Sequence, residues 1–342
     1  MRRMAALVFL LLLLLTTCLS GCAGGPQSRE SGAAAVVSVL GVEQAGTGLR
    51  LWAAAEGRGQ EGPFHAAGQG ATPAAGVEAL ADQGGRVVST DHVEHLLLAQ
   101  GAAEALPALL RYAFQEPRQS TETQLWVVRT ESLETVFAGE GDVARAMTVL
   151  KDQGARRQGF APVTLRQAAA ALAQGEALLL PALAPGEEGL VFAGFALYQE
   201  GEITRWLTGQ AALGAALLSG EKITWTASLG EGAVALRSLG CRARPVWEGE
   251  RLAGLTLRCR LEAVPAGTGA APDPAALEAL AAEAMAAAVA QLQAAGGDGA
   301  GLLGRAGLAD PLRWGALREQ WGAAFPALSV TCQASAAVTA GG

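Results

Sequence analysis

Leu255-Thr256-Leu257-Arg258-Cys259-Arg260-Leu261-Glu262-Ala263 puts an apolar side chain at every odd position and a polar one at every even position. Successive side chains of a strand point to opposite faces, so this strict period of two specifies a strand with one buried and one solvated face. Leu328 to Val338 repeats the pattern, with Leu328, Val330, Cys332, Ala334, Ala336 and Val338 on the apolar phase. Leu239, Cys241 and Ala243 place a partner strand ahead of a turn at Trp247 to Arg251. A long helix is expected between the strands. Asp273 caps it, Pro274 opens it, Leu277, Leu280, Met285 and Leu292 line one side, and Gly296-Gly297 ends it. Residues 229–342 therefore read as an antiparallel sheet carrying helices on one face.

Upstream, strand and helix signals alternate. Ala33–Leu40 and Gly48–Ala55 read as strands, Gly57–Gly70 as a glycine-rich surface loop, and Thr72-Pro73 as a helix start. His95–Ala99 and Gln124–Thr130 are further strands, and helices are expected over 102–114, 142–153 and 164–174. Proline, glycine and acids cluster at Pro181 to Glu188, which reads as a boundary. Beyond it a hairpin turns at Glu200-Gly201-Glu202 and a helix spans Gly209–Leu218. The expected fold class is α+β: three consecutive modules, each a small, mainly antiparallel sheet flanked by helices. Their bounds are 33–180, 181–228 and 229–342, after a signal peptide at 1–21 and a flexible tether at 22–32.

The signal peptide rests on Arg2 and Arg3, the apolar run Leu7 to Leu15, and the small residues that follow. Leu19-Ser20-Gly21-Cys22 resembles the lipobox of bacterial lipoproteins. That resemblance implies cleavage between Gly21 and Cys22 and a diacylglyceryl group on the Cys22 thiol. The covalent lipid is the only prosthetic group expected, and the other reading is an ordinary secretory signal that contains a cysteine. Two acyl chains give stable anchoring where one holds only marginally. The chain is thus expected to be lipid-anchored on the extracytoplasmic side of a membrane.

Net charge is −7 over 342 residues, and the signal removes two arginines and no acid. Such a chain is a poor partner for nucleic acid or for anionic lipid, so membrane contact is expected from the anchor and not from a basic face. No stretch after the signal is expected to span a membrane. Cys241, Cys259 and Cys332 remain after the first two cysteines, each on the apolar phase of its strand. They read as small buried hydrophobes, and a Cys241–Cys259 bridge is the other arrangement the hairpin permits.

Catalytic constellations are scarce. His92-x-x-His95, beside Asp91 and Glu94, has no third set of His or Cys to complete a zinc site, and an extended segment turns residues 92 and 95 to opposite faces. No metal is expected. The glycine-rich stretch Gly296–Gly301 lacks the Lys-Ser/Thr of a phosphate-cradling loop. No nucleophile elbow or Ser/His/Asp grouping can be nominated, so an enzyme is not expected.

Asp310-Pro311 opens a last helix on which Trp314, Trp321 and Phe325 fall at i, i+7 and i+11 before Pro326 launches the final strand. Such a row packs a helix on a sheet. Together with the lipobox, this helix-to-strand passage resembles the Ger(x)C-type spore germination lipoproteins, the C subunits of germinant receptors. Val36–Gly41, His95–Ala99, Arg111–Pro117, Thr123–Val128, Leu178–Pro181 and Gly194-Phe195-Ala196 agree with that family in order and spacing. The chain departs from it after Cys22, where Ala23-Gly24 replaces the family's Trp-Asp, and in a central helix that is almost pure alanine. The resemblance implies a non-catalytic subunit needed for spore germination, on the outer face of the spore inner membrane. Its implied partners are integral-membrane A and B subunits. The alternative is a solute-binding lipoprotein of a transporter, with two similar lobes around a cleft.

Overall fold

The structure is a computed structural model that describes residues 34–57, 62–81, 87–139, 141–157, 160, 162–187, 189–229, 232–266 and 273–339. The chain begins with β1 (Ala34–Val36), β2 (Val39–Ala45), β3 (Gly48–Ala55) and β4 (Phe64–Gly70). Helix α1 (Pro73–Ala81), β5 (Val87–Ser89), β6 (His95–Ala99) and α2 (Leu106–Gln115) follow. Next come β7 (Gln124–Val128), α3 (Glu134–Phe137), α4 (Val143–Arg157), β8 (Val163–Thr164) and α5 (Leu165–Ala173). The hairpins and helix β9 (Leu178–Gly186), β10 (Gly189–Gln199), β11 (Glu202–Leu207) and α6 (Gly209–Leu218) lead into β12 (Thr224–Leu229), β13 (Gly232–Glu248) and β14 (Arg251–Ala266). The chain closes with α7 (Pro274–Ala295), α8 (Leu302–Ala309), α9 (Trp314–Ala324) and β15 (Ser329–Val338).

Two principal sheets organise these elements. The larger has nine strands in the order β11-β10-β9-β7-β6-β2-β3-β4, with β8 paired to β7. Its centre is parallel, because β6 pairs β2 and β7 in parallel and β7 pairs β9 in parallel. Every residue of β6 is buried, the pattern of a strand covered on both faces. The smaller sheet has the order β12-β13-β14-β15. Strand β1 pairs β5 separately.

Several expectations need correction. Strands β9, β10 and β11 join the larger sheet, and β9 runs straight through the boundary expected at 180/181. Strands from β2 to β11, β5 apart, thus build one mixed sheet across residues 39–207, in place of an antiparallel module followed by a separate middle one. Gly57–Gly70 contains β4, held by pairing to β3 from Leu49↔Gly70 to Ala55↔Phe64. In the smaller sheet β15 lies parallel to β14, from Gly254↔Ser329 to Ala263↔Val338. Parallel neighbours need a long crossover, and α7, α8 and α9 supply it.

Helix α7 forms for the reasons its sequence states. The Asp273 carboxylate accepts from Ala275 N–H at 3.0 Å, Pro274 fills the first turn, and Gly296 closes the helix with φ 72°. Its 22 residues are long and apolar enough to cross a membrane by length and composition, contrary to the expectation that nothing after the signal would be. Alanine raises the hydropathy. Leu277, Ala281, Ala284, Met285, Ala288, Val289 and Leu292 are nevertheless buried within the fold, against α6 and β15. Gly214 permits the close crossing of α6 and α7: a Cβ there would lie 1.9 Å from the Ala284 carbonyl oxygen. The buried apolar residues of the two sheets form one continuous core.

Candidate functional site

The C-terminal sheet and its crossover carry most of the residues singled out from sequence. Trp321 and Phe325 are buried and stacked, with ring centroids 5.3 Å apart and planes 19° from parallel. Trp314, at the start of α9, is 39% exposed and covers Gly307 of α8, whose added Cβ would sit 2.1 Å from the indole. Phe325 caps the helix in helical geometry and opens a 3-10 turn at Phe325–Ala327, so Trp321 and Phe325 pack together in the core while Trp314, two turns earlier, stays partly exposed. Gly21 and Cys22 lie outside the described residues.

The alternation of β13 and β14 sorts side chains to two faces. Cys241 sits directly opposite Cys259, and both are buried, while Cys332 is half-buried; all three thiols are free. Burial pushes the Cys259 thiol up to about 12 and Cys332 up to about 11, with Cys241 also raised. Only the thiolate is a good nucleophile, so these groups pack as hydrophobes.

The opposite face carries Arg242 and Arg244 on β13 and Arg258 and Arg260 on β14, all exposed. Arg242 pairs directly across from Arg258, a like-charge juxtaposition that costs stability in a sheet. Arg258 Nε donates to Gln333 Oε1 at 2.9 Å, and among the described residues none of the four holds a salt bridge. Their side chains and Gln333 line a shallow recess of about 270 Å³. A second recess of about 340 Å³ adjoins it, sharing Arg242 and Arg244 and adding Arg305 and Leu308 of α8.

Arg305 is held from beneath. Its Nη2 donates to the Ala300 carbonyl at 2.6 Å, while Nε and Nη1 are buried without a hydrogen-bond partner among the described residues. Burial lowers the pKa of Arg305 and raises that of its neighbour Asp298. The Asp298 carboxylate caps α8, accepting from Leu302 N–H at 2.9 Å and Leu303 N–H at 2.7 Å. The glycine-rich stretch around it is therefore a helix-to-helix turn.

Away from this sheet, His95 is buried in β6 and His92 is exposed in the preceding turn. Trp126 Nε1–H donates to His95 Nδ1 at 3.2 Å. Burial above all, with Lys151 adding to it and Glu94 opposing, lowers the His95 pKa to about 4. No grouping of three or more His, Cys, Asp or Glu suited to a metal ion occurs among the described residues.

The arginine face went unread in the sequence, though its signal was present: the polar phase of the alternation that locates the strands is Arg at positions 242, 244, 258 and 260. No protein-family model matches the chain. No curated protein matches it either. Among solved structures, the fold is similar to that in the crystal structure of the GerBC protein, with a TM-score of 0.54 and 12% sequence identity over 87% of this chain and 96% of that one. The chain thus has a GerBC-like fold, a mixed α/β arrangement of sheets flanked by helices.

Proposed function

We propose that this chain is a non-catalytic, lipid-anchored C subunit of a nutrient germinant receptor, anchored through Cys22 at the outer face of the spore inner membrane and assembling with integral-membrane A and B subunits. The likeness in fold to the GerBC protein, extending over nearly the whole of both chains, carries the reading. The resemblance of the lipobox and of the Trp314–Phe325 helix to Ger(x)C-type lipoproteins supports it from the sequence side. The thiols pushed far above neutrality and the histidine committed to Trp126 favour a non-catalytic role. Anchoring would make partner binding a matter of effective concentration on a surface. The solute-binding alternative calls for two similar lobes, whereas the two sheets differ in strand number and order.

The test is deletion of the gene in a sporulating host that has no redundant receptor, followed by nutrient-triggered germination. Loss of the nutrient response is expected, with germination by non-nutrient triggers retained. Normal nutrient germination would refute the assignment. Cys22→Ser should abolish both palmitate labelling and membrane retention, and persistence of either would overturn the anchor.

A further inference from the structure

The corner where α8 meets the arginine face carries two large apolar side chains that are uncovered among the described residues. Leu308 is 84% exposed and Leu312 is 98% exposed, four residues apart on either side of the α8 C-terminus. Leu308 lines the same recess as Arg242, Arg244 and Arg305, and those first two arginines continue into the recess with Arg258 and Arg260. Arg313, beside Leu312, lies over the Trp247 ring at 5.1 Å. Acids also lie near the corner, Glu221 close enough to Arg305 to favour its charge and Glu250 exposed in the β13–β14 turn, while Asp310 accepts from Trp247 Nε1–H at 3.1 Å and Glu248 pairs with Arg251; among the described residues none of them forms a salt bridge with the four sheet arginines. The result is a cationic surface with protruding leucines, on a chain whose net charge is −7.

We infer that this corner is a second, non-covalent membrane contact, docking the C-terminal sheet on anionic phospholipid. Arginines would meet lipid phosphates, to which the guanidinium fork is matched, while Leu308 and Leu312 enter the interfacial zone. Charge complementarity selects this occupant. Among the described residues the four arginines hold no salt bridge, Arg242 and Arg258 face each other directly, and an anionic bilayer supplies the missing counter-charge, while the isolated leucines suit an acyl boundary better than water. The inference goes beyond the proposed function and rests on it only for placing the chain beside a membrane. A lipid-tethered chain has one attachment and swivels; a second contact of this kind would fix its orientation toward membrane-embedded partners.

The test removes the anchor, so that its failure and failure of the anchor reading stay separate. Every described element lies within residues 34–338, and a chain beginning at Ala23 keeps them all. Sedimentation of that chain with vesicles of phosphatidylcholine alone, or mixed with phosphatidylglycerol, reads the contact. Binding is expected only to the mixed vesicles, falling as salt rises from 0.1 M by screening. Each of Arg242→Gln, Arg244→Gln and Arg258→Gln should weaken it about fivefold, the equivalent of about 1 kcal/mol per basic residue at such a surface. Leu308→Ser with Leu312→Ser should weaken it at every salt concentration, and both side chains are too exposed for the change to disturb the fold. Equal binding to both vesicle types, or unchanged binding by the arginine variants, would overturn the inference. Absence of vesicle binding by a chain with intact circular dichroism would overturn it too.

Discussion

His95 shows how one buried side chain couples this fold to pH. In the unfolded chain its pKa is 6.5, and in the folded chain it lies near 4, because burial and the Lys151 charge penalise the imidazolium. Below pH 6.5 the unfolded state therefore takes up a proton that the folded state refuses. Stability is full above pH 6.5 and falls toward pH 4 at about 1.4 kcal/mol per pH unit, a loss on the order of 3 kcal/mol. Denaturant midpoints measured across this range should decline, and His95→Gln should flatten the decline while its side-chain oxygen still accepts from Trp126. An equal decline in that variant would place the pH dependence elsewhere. The sequence reading set His92 and His95 on opposite faces of one extended segment, whereas in the structure His92 is exposed in the turn that precedes β6 and only His95 lies in the strand. The tryptophan that engages His95 was not legible in the sequence, because Trp126 is 31 residues away and meets it only across the β6–β7 pairing.

At the scale of elements, the crossing of α6 and α7 depends on one missing methyl group. An added Cβ at Gly214 would meet the Ala284 carbonyl at 1.9 Å and the Ala288 Cβ at 2.9 Å, and helix backbone cannot yield as a flexible side chain can. Gly214→Val should force the helices apart and cost about 1–3 kcal/mol or more, seen as a lowered melting temperature. Gly315→Ala in α9 is the matched control. Nothing lies within 4 Å of its added Cβ, so the helix should be unchanged or slightly stabilised, by up to about 1 kcal/mol. Equal effects of the two substitutions would refute the packing argument. Helix α7 was readable to the residue at both ends, because cap, proline and glycine chemistry is local. Strand β4 was not: Phe64–Gly70 has little strand propensity and forms because β3 pairs with it and α1 seats on its backbone. An added Cβ at Gly68 would lie 2.6 Å from the Gly76 carbonyl. The direction of β15 was equally hidden. A period of two says which residues face inward and nothing about which way the strand runs; the three-helix crossover decides that.

For the whole molecule, summed quantities conceal what placement reveals. A net charge of −7 argued against any basic face, yet alternation gathers four arginines on one side of a hairpin, where a sum cannot show them. Modules expected to stand apart are likewise tied together. Leu179 N–H of β9 donates to the Gly299 carbonyl at 3.2 Å, and an added Cβ at Gly299 would lie 2.4 Å from Leu197 of β10. The turn between α7 and α8 thus presses on the larger sheet, while the same helices cover the smaller one. With a core continuous across both sheets, the chain should unfold in one cooperative step despite its size. Three probes test this: far-UV circular dichroism for all elements, tryptophan fluorescence, and pulsed thiol labelling of Cys241 and Cys259, which are buried only while the smaller sheet is intact. The three denaturant midpoints should coincide. Thiol labelling at a distinctly lower denaturant concentration than the loss of circular dichroism would instead show that the C-terminal sheet unfolds as an independent unit, and that the core is continuous in contact without being continuous in energy.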